Sequence, residues 1–424
     1  MTDVATDAST GFDRFGLKQV LVRGTRAAGF EDPRPIQVET ISAGLDGRDV
    51  LGLAQTGTGK TAAFALPLLD RLLDAAPGGP RALILAPTRE LANQIAAETR
   101  VLSRFTRVKM ITIFGGVSIR NQIDGLARRP EIVVGCPGRV LDLLQQGLLK
   151  LDRVETLVLD EADHMFDMGF LPDIRKIIAA LPARRQNLLF SATMPRDIRK
   201  LADDLLDDPH VVELADSAPA RTIDHALYSI PEQRKRDLLE HMLRADDCDS
   251  AIVFTRTKHR AKRLAEQLIR AGHRAVGLQG NMSQANRDKA MRGFRKGTYD
   301  VLVATDIAAR GIDVTAVSHV INFDVPNTPD AYTHRIGRTG RAELSGIACT
   351  FVTNNDVDWV RATERKIGYS IPRRSVEGFA PDTSPRQEKP RNGPGRGRGG
   401  SERNRRGNSR GRSNGRGNRR RRAA

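Results

Sequence analysis

The sequence is poor in cysteine. Its 424 residues include only Cys136, Cys248 and Cys349, which lie far apart and form no C-x-x-C pair. Disulfide frameworks and structural zinc sites need more cysteines or closer spacing, so we expect neither. Because free cysteine is among the most frequently buried residue types, we predict that all three are small core residues.

Long hydrophobic runs are also lacking. The longest apolar stretches, such as residues 62–69, are far shorter than the roughly 20 residues that a membrane-spanning helix needs. The first ten residues are polar, include Asp3 and Asp7, and lack the basic start and apolar centre of a signal peptide. We therefore expect no membrane segment and a cytoplasmic protein.

Acidic residues are scarce at one end of the chain. The net charge is +17, of which residues 381–424 contribute +12 and the preceding 380 residues only +5. Hydrophobic residues make up 39 % of the chain, which is enough to bury real cores before that point. From about Ala380 onward Gly, Arg, Asn and Ser dominate, so we predict a disordered basic tail at 380–424.

Short β-branched or leucine-rich runs recur along the body, and helical patterns follow them. We predict strands at 49–53, 82–86, 109–114, 131–135, 156–160 and 187–190, and again at 250–254, 274–278, 300–304, 317–323 and 347–352. Alternating strands and helices indicate doubly wound parallel sheets, and therefore an α/β fold. The small, polar segment at 215–222 has the composition of a linker. We predict domains at 1–214 and 223–379, joined by that linker.

A glycine-rich stretch follows the first predicted strand. It reads Ala54-Gln55-Thr56-Gly57-Thr58-Gly59-Lys60-Thr61 and precedes a helical pattern. Gly57 and Gly59 would let backbone N–H groups approach phosphate oxygens at the positive end of a helix. Lys60 would reach the β and γ phosphates of a nucleotide, and the Thr61 hydroxyl would bind Mg²⁺. A structural glycine turn is the alternative, since the first position is alanine where the general pattern has glycine.

An acidic motif, Asp160-Glu161-Ala162-Asp163, ends another apolar strand. Open α/β sheets bind ligands at the carboxyl ends of their strands. Asp160 would hold Mg²⁺ there, and Glu161 would orient and deprotonate the attacking water. A solvated acidic loop is the alternative, but an acidic pair at this place, downstream of a phosphate loop, favours nucleotide hydrolysis.

The motifs together resemble those of a known family. DEAD at 160–163, SAT at 191–193 and HRIGRTGR at 334–341 resemble the motifs of the DEAD-box RNA helicases, and the resemblance runs from Phe12 to about Val352. It implies two tandem RecA-like domains, with ATP and Mg²⁺ as cofactors. It also implies RNA-dependent ATP hydrolysis that unwinds short RNA duplexes or remodels RNA–protein complexes. The Gly-Arg repeats of the tail further resemble the bacterial RhlE-type members.

The resemblance assigns further residues to ATP. Gln37 would hydrogen-bond the edge of adenine, Phe30 would pack on its face, and Asp313 would meet the ribose. Arg338 and Arg341 would touch the γ phosphate from the second domain, so hydrolysis would require closure of the cleft between the domains. The nucleotide-binding set is Phe12, Phe30, Gln37, Gln55, Thr56, Gly57, Thr58, Gly59, Lys60, Thr61 and Asp313.

The same resemblance assigns coupling and RNA contacts. Coupling between hydrolysis and strand separation would fall to Asp163, Ser191, Thr193, His334 and Arg335. RNA would be bound by Thr88, Arg89, Gly115, Gly116, Pro137, Gly138, Arg139, Arg256, Gln284, Arg287 and Thr305. Backbone N–H groups at helix starts favour phosphates, and phosphate contacts carry no base information, so we expect no sequence preference.

Two positions depart from the family pattern. Cys136 stands where the family commonly has Thr, and because a thiol is a poorer donor than a hydroxyl, one phosphate contact would be weaker. His164 stands where relatives commonly have Arg, and we expect it to contribute little.

Two other functions stay open at this point. One is an RNA-binding or annealing protein in which the tail dominates and ATP only times release. The other is a DNA translocase or another two-domain phosphate-loop ATPase. The expected partner is single-stranded or short duplex RNA, within ribosomal precursors or RNA-degradation machinery. We expect a monomer, with association through the tail as an alternative.

Overall fold

A computed structural model describes residues 11–54, 57–74, 78–214, 223–309, 317–340 and 346–383. The predicted linker at 215–222 lies outside the described residues, as does the predicted tail from residue 384 onward.

The first domain is built on a seven-stranded parallel sheet with the order β3-β4-β2-β5-β6-β1-β7. Its strands are β1 Val50–Leu53, β2 Ala82–Leu85, β3 Met110–Ile113, β4 Ile132–Gly135, β5 Thr156–Leu159, β6 Gln186–Ser191 and β7 His210–Glu213. Its helices are α1 Gln19–Ala27, α2 Pro35–Leu45, α3 Lys60–Leu72, α4 Arg89–Leu102, α5 Ile119–Ala127, α6 Pro137–Gln145, α7 Ala162–Asp167, α8 Leu171–Ala179 and α9 Arg196–Leu205, preceded by a 3₁₀ turn at Gly11–Phe15.

The second domain repeats this plan with the strand order β10-β11-β9-β12-β13-β8-β14, again with parallel pairs. Its strands are β8 Ile223–Ser229, β9 Ala251–Phe254, β10 Ala275–Leu278, β11 Val301–Ala304, β12 His319–Asn322, β13 Gly346–Val352 and β14 Arg373–Arg374. Its helices are α10 Lys235–Leu243, α11 Lys258–Arg270, α12 Gln284–Arg295, α13 Asp306–Ala309, α14 Pro329–Ile336 and α15 Val357–Ile367, with 3₁₀ turns at Glu232–Arg234 and Asn354–Asp356.

The interior of each sheet is buried on both faces. Along β2, Ala82 and Ile84 belong to one hydrophobic cluster, whereas Leu83 and Leu85 belong to the cluster on the opposite face. The second domain repeats this alternation along β9. Successive side chains of a strand point to opposite faces, and helices cover both, which is why these strands read as continuous apolar runs.

The predicted fold class is confirmed, and each of the eleven predicted runs contains a strand. The sequence patterns missed β7, β8 and β14. β7 has the exposed Val211 between polar ends, and β14 consists of two exposed arginines, so neither forms an apolar run. β8 interrupts its apolar residues with the exposed Asp224 and with His225, so it does not read as a buried parallel strand.

The cysteines lie where they were predicted, with one exception. Cys136 and Cys349 are buried, whereas Cys248 is only partly buried. Burial raises the pKa of each thiol to about 12, which keeps all three protonated at neutral pH. None of the helices in the described part of the chain is both long enough and apolar enough to cross a membrane.

Candidate active site

The strand order sorts the predicted site residues of the first domain into two groups. Apart from Phe12, Phe30 and Gln37, which precede β1, the residues assigned to the nucleotide and to coupling follow β1, β5 and β6, which are neighbours in the sheet. Residues assigned to RNA follow β2, β3 and β4, which are also neighbours. Because ligands bind at the carboxyl ends of parallel strands, the two groups form adjacent sites along one edge of the sheet.

The phosphate loop joins β1 to α3. Gly57 and Gly59 have φ angles of 89° and 95°, in the left-handed region that favours glycine. A Cβ on Gly59 would also lie 2.6 Å from Nε2 of Gln37, so the amide of Gln37 would have to move. The Lys60 ammonium donates to the Ala54 carbonyl over 2.8 Å and lies 3.9 Å from Oδ1 of Asp160. The loop therefore presents its backbone and a buried cation at the start of a helix, as a phosphate site requires.

Gln37 contacts this loop. Together with Phe12 and Phe30 it forms the segment that the resemblance assigns to adenine. Its Nε2 donates to the Gly59 carbonyl over 3.1 Å, and its Oε1 accepts from the Arg34 backbone over 2.8 Å. The Arg34 guanidinium donates to the Gly57 carbonyl over 2.7 Å. A primary amide has two N–H groups and two lone pairs, so these bonds leave one of each for a base. Arg34 was missed, because a basic residue before Pro35 carries no distinguishing pattern.

The two phenylalanines of this segment differ in position. Phe12 is 3 % exposed and belongs to the core of the first domain, while Phe30 is only partly buried. Their ring centroids lie 6.1 Å apart with an angle of 28° between the planes. Phe12 thus supports Phe30 from within, and Phe30 is the ring with surface available to a base.

Asp160 is buried beside Lys60. It is 2 % exposed, and among the described residues its Oδ1 has no hydrogen-bond donor. Burial raises its pKa to about 6. Buried carboxylate oxygens normally have partners, and a hard divalent cation would supply one here. Thr61, which offers a hydroxyl at the start of α3, is also buried. The donor set therefore fits such a cation.

Glu161 has an unusual backbone conformation. It has φ 55° and ψ 54° at the start of α7, a left-handed conformation that costs a non-glycine residue roughly 1–2 kcal/mol. Such strain is typical of functional positions. Burial alone would raise the pKa of its carboxyl, but the hydrogen bond and charge of His164, with the charges of Lys60 and Arg338, hold that pKa well below its usual range. Glu161 is therefore ionised at neutral pH, the form in which a general base accepts a proton.

His164, which we expected to contribute little, makes a direct contact in this site. Its Nδ1 lies 2.8 Å from Oε2 of Glu161, and its side chain is 7 % exposed. This contact could not be predicted from the sequence, because two residues three positions apart come into contact only when a helix, here α7 from Ala162, brings them together.

The acidic motif is bonded to the end of β6. Oδ2 of Asp163 accepts hydrogen bonds from both the backbone and the hydroxyl of Thr193, each over 2.9 Å. The Ser191 hydroxyl accepts from the Asp163 backbone over 3.2 Å and donates to the Thr193 carbonyl over 2.7 Å. The structure therefore brings these three coupling candidates together, and β6 lies between β1 and β5.

The second domain reaches this site through α14 and the turn after it. The His334 ring lies perpendicular to that of His164, with 5.4 Å between centroids. Arg338 is 8 % exposed and close enough for its charge to lower the pKa of Glu161. Four other predicted ATP-site residues, Gln55, Thr56, Asp313 and Arg341, lie outside the described residues.

Arg335 differs from its neighbours on α14. Its guanidinium binds both carboxylate oxygens of Asp306 over 2.5 and 2.7 Å. It also donates to the side chain of Asn322 and the carbonyl of Asp324, and it is 3 % exposed. All these partners belong to the second domain. Any coupling role of Arg335 would therefore act through Asp306 rather than by direct contact with the first domain.

The predicted RNA residues of the first domain lie at helix starts and turns. The Thr88 hydroxyl caps α4 by accepting from the Leu91 backbone over 3.2 Å. Pro137 and Gly138 open α6, and Nη1 of Arg139 is buried without a hydrogen-bond partner among the described residues. Beside them is the turn at Gly115 and Gly116, after β3. A Cβ on Gly116 would lie 2.2 Å from the Arg89 guanidinium, so this glycine makes room for Arg89.

In the second domain, the RNA candidates divide into two sets. Arg256 is exposed after β9, and Thr305 follows β11, at the carboxyl edge of the sheet. Gln284 and Arg287 on α12 instead contact the first domain. Arg287 binds Glu90 over 2.9 Å, and Gln284 accepts from Arg89 over 3.0 Å.

This interdomain contact is not the RNA contact that the resemblance implies for Arg287. Its Nη2 also donates to the Ala308 carbonyl over 3.2 Å, so the guanidinium is held by protein groups on two elements. Glu90 was missed, because a single carboxylate in the first turn of a helix is commonly a solvated residue.

Two family models match the chain. Residues 34–201 match the model described as DEAD/DEAH box helicase, and residues 234–343 match the one described as helicase conserved C-terminal domain. The sequence is 46 % identical over 356 residues to the ATP-dependent RNA helicase CshA of Listeria monocytogenes, covering 84 % of this chain and 68 % of the relative. It is 43 % identical over 375 residues to the DEAD-box ATP-dependent RNA helicase CshA of Geobacillus kaustophilus, covering 88 % and 79 %.

Solved structures share the fold. Dbp5 of S. cerevisiae bound to RNA and ADP BeF3 has a TM-score of 0.79 at 33 % identity, over 87 % of this chain and 96 % of that one. Mss116p bound to ssRNA and AMP-PNP has a TM-score of 0.78 at 27 % identity, over 86 % and 78 %. A DEAD box protein from Methanococcus jannaschii is more similar in sequence, at 37 % identity over 86 % and 99 %, yet its TM-score is 0.50. Because both domains enter the score, this contrast indicates that the domains here are arranged as in the Dbp5–RNA complex.

Proposed function

The chain belongs to the DEAD-box helicase family, and from this premise we propose that it is an ATP-dependent RNA helicase whose hydrolysis step depends on closure of its two domains. It hydrolyses ATP to ADP and phosphate when RNA is bound, and it uses closure to separate short duplexes or remodel RNA–protein complexes.

This proposal is based on one observation: groups from both domains surround the Glu161 carboxylate. The first domain supplies Lys60 and His164 next to this carboxylate, and the second supplies the charge of Arg338. Apart from Asp313, the groups expected to bind the nucleotide all belong to the first domain. The group that would stabilise the charge of the transition state comes from the second domain.

The roles of the residues follow from their positions. The phosphate loop and Lys60 bind the phosphates, and Glu161 orients the attacking water and takes its proton. Arg338 stabilises the charge that develops on the transferred phosphoryl group, an interaction worth roughly 10³ to 10⁵ in rate. Mg²⁺, held by Asp160 and Thr61, would neutralise charge on the phosphates. An open enzyme would therefore bind ATP and turn it over slowly.

RNA binding would extend across both domains. The starts of α4 and α6 and the turn after β3 would bind one stretch of backbone phosphates, and Arg256 and Thr305 would continue the track. Phosphate and sugar contacts read shape rather than sequence, so the core would accept any RNA. Residues 1–214 and 223–379 would act as the two domains, with 215–222 as their linker and 380–424 as an additional RNA-binding segment.

Several finer assignments remain our hypotheses. The RhlE-type subfamily rests on the composition of the tail, whereas the similar curated relatives described above are named CshA. Ribosomal precursors or RNA-degradation machinery as the physiological partner, a monomeric state and a cytoplasmic location are expectations of the same kind.

The test compares ATP hydrolysis and strand separation by the full chain with RNA and with single-stranded DNA. We expect RNA to stimulate phosphate release, DNA to stimulate it far less, and a short RNA duplex to separate only with ATP. Equal stimulation by DNA would favour a DNA translocase. RNA binding or annealing without ATP-dependent separation would favour the RNA-annealing alternative. Glu161→Gln should bind ATP and RNA but stay trapped closed, and normal turnover by this variant would refute the general-base assignment.

A further inference from the structure

His164 contacts both the predicted general base and the second domain. Its Nδ1 is 2.8 Å from Oε2 of Glu161, and the edge of its ring meets the His334 ring at a centroid distance of 5.4 Å. His164 lies on α7 of the first domain, whereas His334 lies on α14 of the second. One buried imidazole therefore links the base to the surface that closes over it.

We propose that His164 is a positioning residue, which fixes the Glu161 carboxylate for proton transfer when the second domain closes. This inference rests on the proposed function, because it refines how Glu161 acts in that site.

The physical reason is the freedom of a glutamate side chain. Three rotatable bonds separate the Glu161 carboxylate from its backbone, so the left-handed backbone alone does not fix where the carboxylate oxygens point. A hydrogen bond from an imidazole N–H to Oε2 fixes one oxygen and leaves Oε1 to accept the water proton. The water oxygen then bonds to the γ phosphorus as the bond from that phosphorus to the bridging oxygen of ADP breaks, and ADP leaves. Hydrogen bonds to ionised groups are shorter and stronger than neutral ones, which suits this orienting role.

The charges around the imidazole are compatible with closure. Burial lowers the pKa of His334, and the positive charge of His164 lowers it further. His334 is therefore neutral at pH 7, and its approach does not place two imidazolium ions against each other. The other charged groups around the pair are Glu161 and Asp163 of the first domain and Arg338 of the second. Because the ionised Glu161 carboxylate can only accept, Nδ1 of His164 is the donor of their hydrogen bond.

A packing role for His164 is the competing explanation, and two variants separate it from positioning. His164→Asn places an amide donor where Nδ1 stands, whereas His164→Leu fills similar space without a donor. We expect the leucine variant to lose about 10- to 100-fold in kcat at saturating RNA and ATP, as the net worth of a hydrogen bond to a charged group indicates. The asparagine variant should retain kcat within about threefold for the same reason.

The Michaelis constants and thermal midpoints complete the test. We expect both variants to keep the KM values for ATP and RNA and the unfolding midpoint of the full chain, since the interaction acts on the chemical step. A leucine variant with unchanged kcat would overturn the proposal. So would equal losses in both variants, or a raised KM with kcat retained, because these indicate packing or ground-state binding.

The link to closure has its own measurement. If His164 acts through the contact with His334, His164→Leu should reduce kcat much less in a His334→Ala background than in the wild type. Fully multiplicative losses would overturn this link. Failure of the proposed function would give a different result from failure of the His164 proposal. The wild-type chain would then show no RNA-stimulated hydrolysis, and Glu161→Gln would not change the rate of hydrolysis, whichever residue occupies position 164.

Discussion

The contact between Glu90 and Arg287 offers a quantitative test of domain closure. The two side chains are 15 % and 12 % exposed, and the guanidinium donates to the carboxylate over 2.9 Å. Truncating one member of a fully buried pair costs about 3–5 kcal/mol, because the other charge is left without its partner. In the open form water would solvate both groups again, and the pair here retains some exposure. We therefore expect Glu90→Ala to weaken the closed state by about 2 kcal/mol.

That loss predicts a specific change in RNA affinity. Only the closed state carries the contact, so Glu90→Ala should weaken RNA binding about 30-fold in the presence of a non-hydrolysable ATP analogue. Without nucleotide the affinity should change less than about threefold by the same reasoning. Fluorescence anisotropy of a labelled single-stranded RNA measures both values. Arg292→Ala is the control, because it removes an exposed cation from the same helix.

A double-mutant cycle decides between closure and direct RNA binding by Arg287. If Arg287 acts by holding Glu90, then Arg287→Ala should cost little further affinity in a Glu90→Ala background, with a coupling energy of about 1–3 kcal/mol. If Arg287 instead binds an RNA phosphate, as the sequence resemblance implied, its loss should be the same in both backgrounds. Additive losses would therefore refute the closure argument.

The remaining predictions concern the phosphate loop, the arginine finger and the tail. Lys60→Ala should abolish RNA-stimulated phosphate release, and measurable turnover would contradict its assignment. Arg338→Ala should lower kcat by roughly 10³ with nucleotide affinity retained, whereas a large loss of affinity would indicate a structural arginine. Gly59→Ala, which meets an amide nitrogen at 2.6 Å, should raise the KM for ATP at least about tenfold by steric exclusion. The control Gly169→Ala has φ 78° and open space, and it should leave that KM unchanged. Removal of residues 381–424 should weaken RNA binding and flatten its salt dependence, with hydrolysis at saturating RNA retained.

The sequence alone was enough to place those candidate residues that directly follow a strand. A buried strand shows itself as an apolar run, and the residue after it is placed at the ligand-binding edge by the fold class alone. Asp160 and the phosphate loop could therefore be assigned from the sequence alone, and in the structure both lie at that edge. The strands β7 and β14 could not be predicted, because β7 has polar residues at both ends and β14 consists of two exposed arginines.

Contacts between distant parts of the chain could not be predicted from the sequence. Arg287 and Glu90 are 197 residues apart, and only the packing of α12 against α4 shows that they form a pair. Arg335 stands beside His334 in one motif, yet it faces Asp306 inside its own domain while His334 faces the first domain. Adjacent positions on a helix point in different directions, so a shared motif does not imply a shared partner.

The strand order of the first sheet explains how one closure can serve both ligands. The nucleotide group follows β1, β5 and β6, the RNA group follows β2, β3 and β4, and β5 lies directly beside β2. A second domain that contacts Glu90 at the start of α4 and His164 on α7, after β5, must therefore cover both groups together. RNA bound along one part of this edge favours the same arrangement that brings Arg338 toward the other part. Hydrolysis would then depend on RNA without any RNA residue touching the nucleotide, because both ligands stabilise a single closed state.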